Sequence, residues 1–253
     1  MEKKMSGSET AKSGFQNEHD IVSMLNDWQG NQQARNILSS MGYEEVSSVQ
    51  ASKIPGSVKP DIRVVVNGET NYASLKKYRA DANYNHVCRT SVDNYANKFG
   101  FNDSIADALK VFTGEIKPAD KPEVLATKPA RDKRATLKEL VPSKVDEIIE
   151  FFDENRERVL RYIFCGDDKD LEPKYMIITK EGDGTPTYTT MEMNRVVDYY
   201  KQYPVDVSAR GSIQFGSVIL QRKGGQGSPE NLQFKFRPDK IVKLLEQERH
   251  ENS

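Results

Sequence analysis

The stretch KPDIRVVVNGETNYASLKK, residues 59–77, decides the fold of the N-terminal part of the chain. A run of β-branched residues is followed by Asn67-Gly68, and both of these residue types tolerate the positive φ angles of a tight hairpin turn. A second run of strand-forming residues follows the turn. The spacing therefore predicts two antiparallel strands, residues 61–66 and 71–78.

Three polar side chains share one face of this predicted hairpin. A two-residue turn at Asn67-Gly68 pairs Asp61 with Ser74 across the two strands. Because successive side chains of a strand point to opposite faces, Lys76 lies on the same face as this pair and Lys77 points away. A register slip of one residue exchanges the two lysines, so Lys77 is the alternative.

These residue types suit the hydrolysis of a phosphodiester. Carboxylate and carbonyl oxygens are hard ligands for Mg²⁺, which polarises a phosphoryl oxygen and a bound water. A lysine orients the attacking water, or helps to deprotonate it, and offsets charge in the transition state. Glu18, on a predicted helix, can direct a second carboxylate to the same ion. The structural alternative is an aspartate at a strand entry, a solvated edge lysine and a solvated helix glutamate.

Apolar spacing along the chain predicts a mixed α/β (α+β) architecture. Helices are expected at 14–41 with a break near Gly30, at 84–112, from 142 or 143 to 165, at 193–203 and at 238–248. Further strands are expected at 43–51, 174–180, 187–191, 211–222 and 231–237.

Composition and residue spacing exclude several classes of protein. Two distant cysteines and three scattered histidines form no zinc-binding spacing, and the chain holds neither GxGxxG nor GxxxxGK[ST]. No apolar run approaches the roughly 20 residues of a membrane span, and the N-terminus lacks the apolar region of a secretory signal. We therefore expect a cytoplasmic protein without a membrane segment.

Charge is strongly segregated along a chain whose formal net charge is −1. Residues 208–243 hold seven basic and two acidic residues, whereas residues 146–172 hold ten acidic and four basic residues. The near-neutral total argues against indiscriminate binding to nucleic acid, but the basic segment can build a local positive cleft.

The segment NLQFKFR, residues 231–237, alternates apolar and polar side chains. Leu232, Phe234 and Phe236 are expected to face the core, and the polar set is expected to face outward at a spacing of about 6.6 Å. Such a face suits the reading of base edges in a major groove, and an ordinary amphipathic hairpin is the alternative. The predicted DNA-binding residues of this strand and its partner segment are Arg210, Gln214, Gln221, Arg222, Lys223, Gln233, Lys235 and Arg237.

Several segments in the same order resemble the small monomeric type II restriction endonucleases that cut four-base GC-rich sites. The similarity is greatest to the HinP-type enzymes that cut GCGC, and more distant to the MspI-type enzymes. The matching segments are residues 10–21, 60–61, 74–76, 112–115, 154–156, 159–160, 210–216, 221–225 and 232–235.

The resemblance implies a PD-(D/E)xK nuclease core, with a mixed central sheet flanked by helices and one Mg²⁺-dependent catalytic centre per chain. Asp61, Ser74 and the carbonyl of Leu75 are then the implied metal ligands, and Lys76 is the implied catalytic lysine. Glu18 matches a first-helix glutamate near the active site. Ser74 departs from the pattern, because the superfamily has Glu or Asp there and the GCGC-cutting relatives have Gln.

On this basis we expect a catalytic core at residues 1–116, a basic connector at 117–141 and a strand-rich DNA-recognition region at 142–253. The implied partner is double-stranded DNA, cut by a monomer, with a cognate DNA methyltransferase in the host. Residues 79–90 have no counterpart in the relatives and are a further candidate for DNA contact. Two rival functions use the same residues: a structure-specific repair nuclease, and a DNA-binding module that has lost catalysis.

Overall fold

The computed structural model describes residues 7–78, 84–118, 135–181, 184–209, 211–223 and 227–251. The helices within these ranges are α1 (Gly7–Asn26), α2 (Gln32–Ser40), α3 (Val92–Phe99), α4 (Asp103–Thr113), α5 (Leu137–Leu140), α6 (Val145–Glu154), α7 (Arg156–Cys165), α8 (Met193–Lys201) and α9 (Pro238–Glu251). The strands are β1 (Val49–Lys53), β2 (Ile62–Val66), β3 (Glu69–Tyr78), β4 (Asn85–Thr90), β5 (Tyr175–Lys180), β6 (Thr187–Glu192), β7 (Val205–Val207), β8 (Ile213–Phe215), β9 (Val218–Arg222) and β10 (Leu232–Phe236). Among the described residues, no helix combines the length and apolarity needed to cross a membrane.

The chain divides into two compact units, and each is built from separate segments. The first unit comprises residues 1–85, 164–196 and 237–253, and the second comprises residues 86–163 and 197–236. These divisions differ from the continuous segments expected from the sequence, because the chain leaves the first unit after β3 and returns to it twice.

The first unit contains a five-stranded mixed sheet in the order β1-β2-β3-β5-β6. β3 and β5 run parallel and the other neighbours run antiparallel, which confirms the predicted mixed sheet. The apolar stripes of α1 and α2 pack on one face, where Ile21, Leu25 and Ile37 join Ile62 and Val64 in a buried core. This packing holds the β2–β3 hairpin in place.

The second unit contains a sheet in the order β4-β10-β9-β8-β7. Its core is aromatic: Tyr95 stacks on Phe99 with the ring centroids 5.4 Å apart and meets the edge of Phe234 at 5.5 Å. Phe152 of α6 packs edge-on against Phe215 of β8. Aromatic pairs of this geometry stabilise a core beyond their buried area.

Several predicted elements differ from those observed. Residues 84–112, expected to be helical, begin with β4 and then form α3 and α4, because Ser91 caps α3 and Gly100 ends it with a φ of +73°. The helix expected to end at residue 165 is interrupted at Asn155. The strand expected at 211–222 is divided by a turn at Gly216, which has a φ of +61°. β7 was not predicted, and β1 lies later than the predicted strand at 43–51.

Candidate active site

The β2–β3 hairpin has the predicted register. Asn67 and Gly68 form the turn with φ angles of +52° and +86°. Ile62 is opposite Ala73, and the backbone N–H of Asp61 donates to the carbonyl of Ala73 at 2.9 Å. Asp61 therefore lies at the entry of β2, beside the middle of β3.

Asp61, Ser74 and Lys76 form one hydrogen-bonded cluster, as the hairpin geometry predicts. Asp61 Oδ2 accepts from the backbone N–H of Leu75 at 2.6 Å and from the Ser74 hydroxyl at 3.1 Å. Lys76 Nζ donates to Ser74 Oγ at 2.8 Å and to the carbonyl of Leu75 at 2.9 Å, and it lies 3.6 Å from Asp61 Oδ2. Ser74 is buried, whereas the side chains of Asp61 and Lys76 keep 29% and 15% of their surface exposed. The cluster is therefore accessible to solvent through its charged members.

Three oxygens of different kinds converge on one positive charge in this cluster. They are the carboxylate of Asp61, the hydroxyl of Ser74 and the carbonyl of Leu75, which together surround the ammonium group of Lys76. Oxygen donors of this kind also suit a hard divalent cation. Within the described residues no group of three or more His, Cys, Asp and Glu side chains is placed to hold a metal. A cation at this cluster would rest on one carboxylate and neutral oxygens.

Lys77 and Glu18 have partners outside this cluster. Lys77 Nζ pairs with Glu181 at 2.6 Å and donates to Ser13 Oγ on α1 at 2.8 Å. Glu18 pairs with Lys53 at 2.8 Å, and among the described contacts its carboxylate touches none of the cluster residues. The structure thus brings together three of the four predicted catalytic side chains and leaves Glu18 on a separate ion pair.

Four of the eight predicted DNA-binding residues share one face of the second sheet. Gln221 is opposite Gln233, and Ile219 is opposite both Gln214 and Lys235 on its two sides. We call Gln214, Gln221, Gln233 and Lys235 the polar face. Gln233 is only 4% exposed, whereas the sequence predicted that its side chain points outward. The other face carries the predicted core residues Leu232, Phe234 and Phe236, all fully buried.

The other four predicted DNA-binding residues lie elsewhere. Arg222 is buried on the face opposite the polar face, and Lys223 Nζ donates to the carbonyl of Gly227. Arg237 belongs to the first unit and bonds Asp239 at 3.1 and 3.2 Å. Arg210 lies outside the described residues.

Sequence reasoning missed β4, which borders β10 at the edge of the second sheet. His86 lies on this strand. Desolvation of its imidazole ring, together with the positive charges of Lys235 and Arg89, lowers the pKa of His86 to about 4. A helix-capping serine at Ser91 was the available signal that residues 84–90 precede a helix rather than belong to it.

Comparisons with known proteins agree with this architecture. The family model of the R.HinP1I restriction endonuclease matches residues 47–242, which include both the cluster and the polar face. The fold is similar to that of the restriction endonuclease MspI, solved in complex with its cognate DNA, with a TM-score of 0.53 at 16% sequence identity over 80% of this chain and 78% of that chain. No curated protein sequence matches. Because the family model spans most of its length, the chain belongs to the R.HinP1I restriction endonuclease family and is a type II site-specific nuclease.

Proposed function

We propose that this nuclease makes Mg²⁺-dependent double-strand breaks in DNA at a four-base GC-rich site, GCGC. The observation that carries the proposal is the Asp61–Ser74–Lys76 cluster, which lies inside the family match. The GCGC assignment is supported by the resemblance of residues 210–216 and 221–225 to the enzymes that cut this sequence. We propose that the five-stranded sheet of the first unit carries the hydrolytic site. We propose that the sheet of the second unit binds the DNA recognition site.

The cluster fits a divalent cation by the chemistry of its oxygens. Asp61, Ser74 and the carbonyl of Leu75 already surround a positive charge, that of Lys76, so the three groups can stabilise a cation together. When bound, Mg²⁺ would polarise the scissile phosphate and lower the pKa of a bound water. Ser74, where PD-(D/E)xK enzymes have an acid, contributes a neutral oxygen. We therefore propose a cation held with a single carboxylate.

The protein's own side chains have distinct roles in this proposal. Asp61 supplies the negative charge, and the backbone N–H of Leu75 keeps its carboxylate in place. Lys76 orients the attacking water and stabilises charge on the phosphate, and its bond to Ser74 fixes the ammonium group at the cluster. Glu18 is paired with Lys53 and has no role in this proposal.

The polar face supplies donors and acceptors suited to base edges. Lysine pairs with the O6 and N7 acceptors of guanine, and glutamine amides can both donate and accept. The sheet presents these groups in adjacent strands, and a β-ribbon fits the major groove. We propose that Gln214, Gln221 and Lys235 take part in reading the site; Gln233, which is only 4% exposed, is left out of this role.

Digestion of plasmid DNA by the purified protein tests the proposal. With Mg²⁺ present, discrete fragments are expected whose sequenced ends share GCGC, and a plasmid without GCGC should remain intact. Chelation of the metal with EDTA should stop cleavage, and added Mg²⁺ should restore it. Fragments that share a different four-base site would disprove the GCGC assignment alone. Cleavage confined to branched DNA, or cleavage that continues in EDTA, would contradict the proposal itself.

A further inference from the structure

Arg222 ends β9 beside Gln221, but its side chain points away from the polar face. In the β9–β10 pair, Arg222 is opposite Leu232 and Gln221 is opposite Gln233. Arg222 is only 7% exposed. A side chain in this position cannot reach DNA while it keeps its present contacts.

The guanidinium group of Arg222 links two other parts of the second unit. It lies over the ring of Phe112, with the guanidinium carbon 4.9 Å from the ring centroid, and donates to the carbonyl of Phe112 at 3.0 Å. Phe112 is in the last turn of α4, where carbonyls lack partners within the helix and carry a partial negative charge. Arg222 also donates to the carbonyl of Ala135, just before Thr136 caps α5. One side chain thus connects the end of β9 to the end of α4 and the start of α5.

A second contact joins the start of α5 to the residues that lead into β8, on the other strand of the β8–β9 hairpin. Gly211 has a φ of +74°, and a Cβ at this position would lie 2.7 Å from both the Leu137 backbone nitrogen and Thr136 Cβ. The beginning of β8 and the end of β9 are therefore both held against the start of α5. Residues 211–222 are fixed at both ends by contacts that do not use the polar face.

We propose that Arg222 is a positioning residue that holds Gln221, and with it the polar face, in the arrangement that binds the DNA site, and that Arg222 does not itself contact DNA. This inference rests on the proposed function, in which the polar face binds the site. It reassigns a residue that sequence pattern alone places among the DNA contacts.

Direct contact and positioning predict different effects of substitution. A phosphate contact adds to the salt dependence of association, and its loss lowers the slope of log K against log salt by about one. A base contact sets preference at one base pair. A positioning residue leaves the salt slope unchanged and alters discrimination at every base pair read by the face.

The test measures cleavage by the wild-type chain and by two variants, Arg222→Lys and Arg222→Met. The substrates are a short duplex that contains GCGC and four duplexes that each change one base pair of this site. Arg222→Lys preserves the positive charge but removes the planar guanidinium group. That group donates to the carbonyls of Phe112 and Ala135 and lies over the Phe112 ring. We expect roughly a tenfold loss of kcat/KM on GCGC for Arg222→Lys, from one weakened charge-assisted bond, and a larger loss for Arg222→Met. Discrimination should fall at all positions, and the salt slope of kcat/KM should match that of the wild type.

Lys223→Met is the matched control, because it removes the neighbouring charge. We expect unchanged discrimination at all four base pairs for this variant, because the Lys223 ammonium group donates to the carbonyl of Gly227. If Arg222→Met does not fold, as circular dichroism would show, Arg222→Lys decides the question. Three results for Arg222→Lys would overturn the inference. They are discrimination equal to that of the wild type, a salt slope reduced by about one, and a loss of discrimination confined to one base pair. Failure of the wild-type chain to prefer GCGC would instead refute the proposed specificity.

Discussion

Ser74 is the residue at which the proposed active site departs from the PD-(D/E)xK pattern that the family resemblance implies, and this serine is buried. Its oxygen accepts from Lys76 and its hydrogen is donated to Asp61, so one small group joins the two charges. A carboxylate at position 74 would be buried, and it would need an ion pair and hydrogen bonds of its own to offset the loss of hydration.

Replacement of Lys76 tests its assignment as the catalytic lysine. Lys76→Ala should abolish cleavage of GCGC plasmid, because it removes the ammonium group at the cluster, and should leave binding of a GCGC duplex largely intact. Plasmid cleavage assays and fluorescence anisotropy with a labelled duplex measure the two properties.

Lys77→Ala is the matched control for this experiment. Its side chain pairs with Glu181 and Ser13 instead of the cluster, so cleavage should persist. The lost ion pair should lower the free energy of unfolding by about 0–1 kcal/mol. Activity that survives in Lys76→Ala and disappears in Lys77→Ala would assign catalysis to the other lysine.

Ser74→Ala should raise the concentration of Mg²⁺ that gives half-maximal cleavage. The variant removes one of the three proposed oxygen donors and the bond that fixes Lys76. Titration of cleavage rate with Mg²⁺ measures the shift, while duplex affinity in the absence of metal should match that of the wild type. An unchanged Mg²⁺ dependence would show that the hydroxyl is not a donor.

His86 should make the protein acid-sensitive from a pH of about 6.5, which is above the range in which carboxylates begin to titrate. Its pKa is lowered from 6.5 to about 4 in the folded chain, so the unfolded state binds the proton more tightly. Stability is therefore expected to fall as the pH drops from about 6.5 towards 4. Chemical denaturation at a series of pH values should show a smaller fall for His86→Asn, and an equal fall in both proteins would contradict the assignment.

At the scale of elements, the β2–β3 hairpin is the part most completely predicted from sequence. The turn residues and the alternation of side chains determine its register within 20 residues, and the observed pairing agrees. The side chain of Asn67 adds contacts that the turn pattern does not specify: it accepts from the backbone of Ser47 and donates to the carbonyl of Glu45. Asn67 thus joins the turn to the segment before β1.

The β8–β9 hairpin depends on close packing at Gly211, which can be tested against a second glycine. Gly211→Ala and Gly227→Ala both place alanine at a positive φ, but only the Cβ at residue 211 meets backbone atoms. We expect the residue 227 variant to lose about 1 kcal/mol of unfolding free energy, from backbone strain. The residue 211 variant should lose roughly 1–3 kcal/mol more, from overpacking.

Denaturant unfolding curves of the two glycine variants measure this difference. If both variants are equally stable, the close approach to Thr136 and Leu137 is not what requires glycine at position 211.

At the scale of the whole molecule, two discontinuous units share one chain. The first unit, which carries the cluster, is completed by residues 164–196 and 237–253, far from the β2–β3 hairpin in sequence. β5 and β6 extend the same sheet as the hairpin. Under the proposed function, the segments of the catalytic unit therefore alternate along the chain with those of the DNA-binding unit.

The Asp61–Ser74–Lys76 cluster predicts stepwise cutting if the enzyme acts as a monomer, as the family resemblance implies. A single cluster can hydrolyse one scissile phosphate at a time, so supercoiled plasmid with one site should pass through a nicked circle before it becomes linear. Gel electrophoresis of a time course, together with sedimentation of the enzyme–DNA complex, tests this expectation. Linear product without a nicked intermediate, formed by a sedimenting dimer, would refute the monomer.

The sequence by itself determined the hairpin register and the meeting of Asp61, Ser74 and Lys76, because turn chemistry and strand alternation act over short distances along the chain. Most helices and strands could be predicted for the same reason. Only the tertiary structure decided that Arg222 is buried, that β4 joins the second sheet and that each unit is discontinuous. These features depend on contacts between residues far apart in sequence, such as Arg222 with Phe112 and Ala135, which no local pattern encodes.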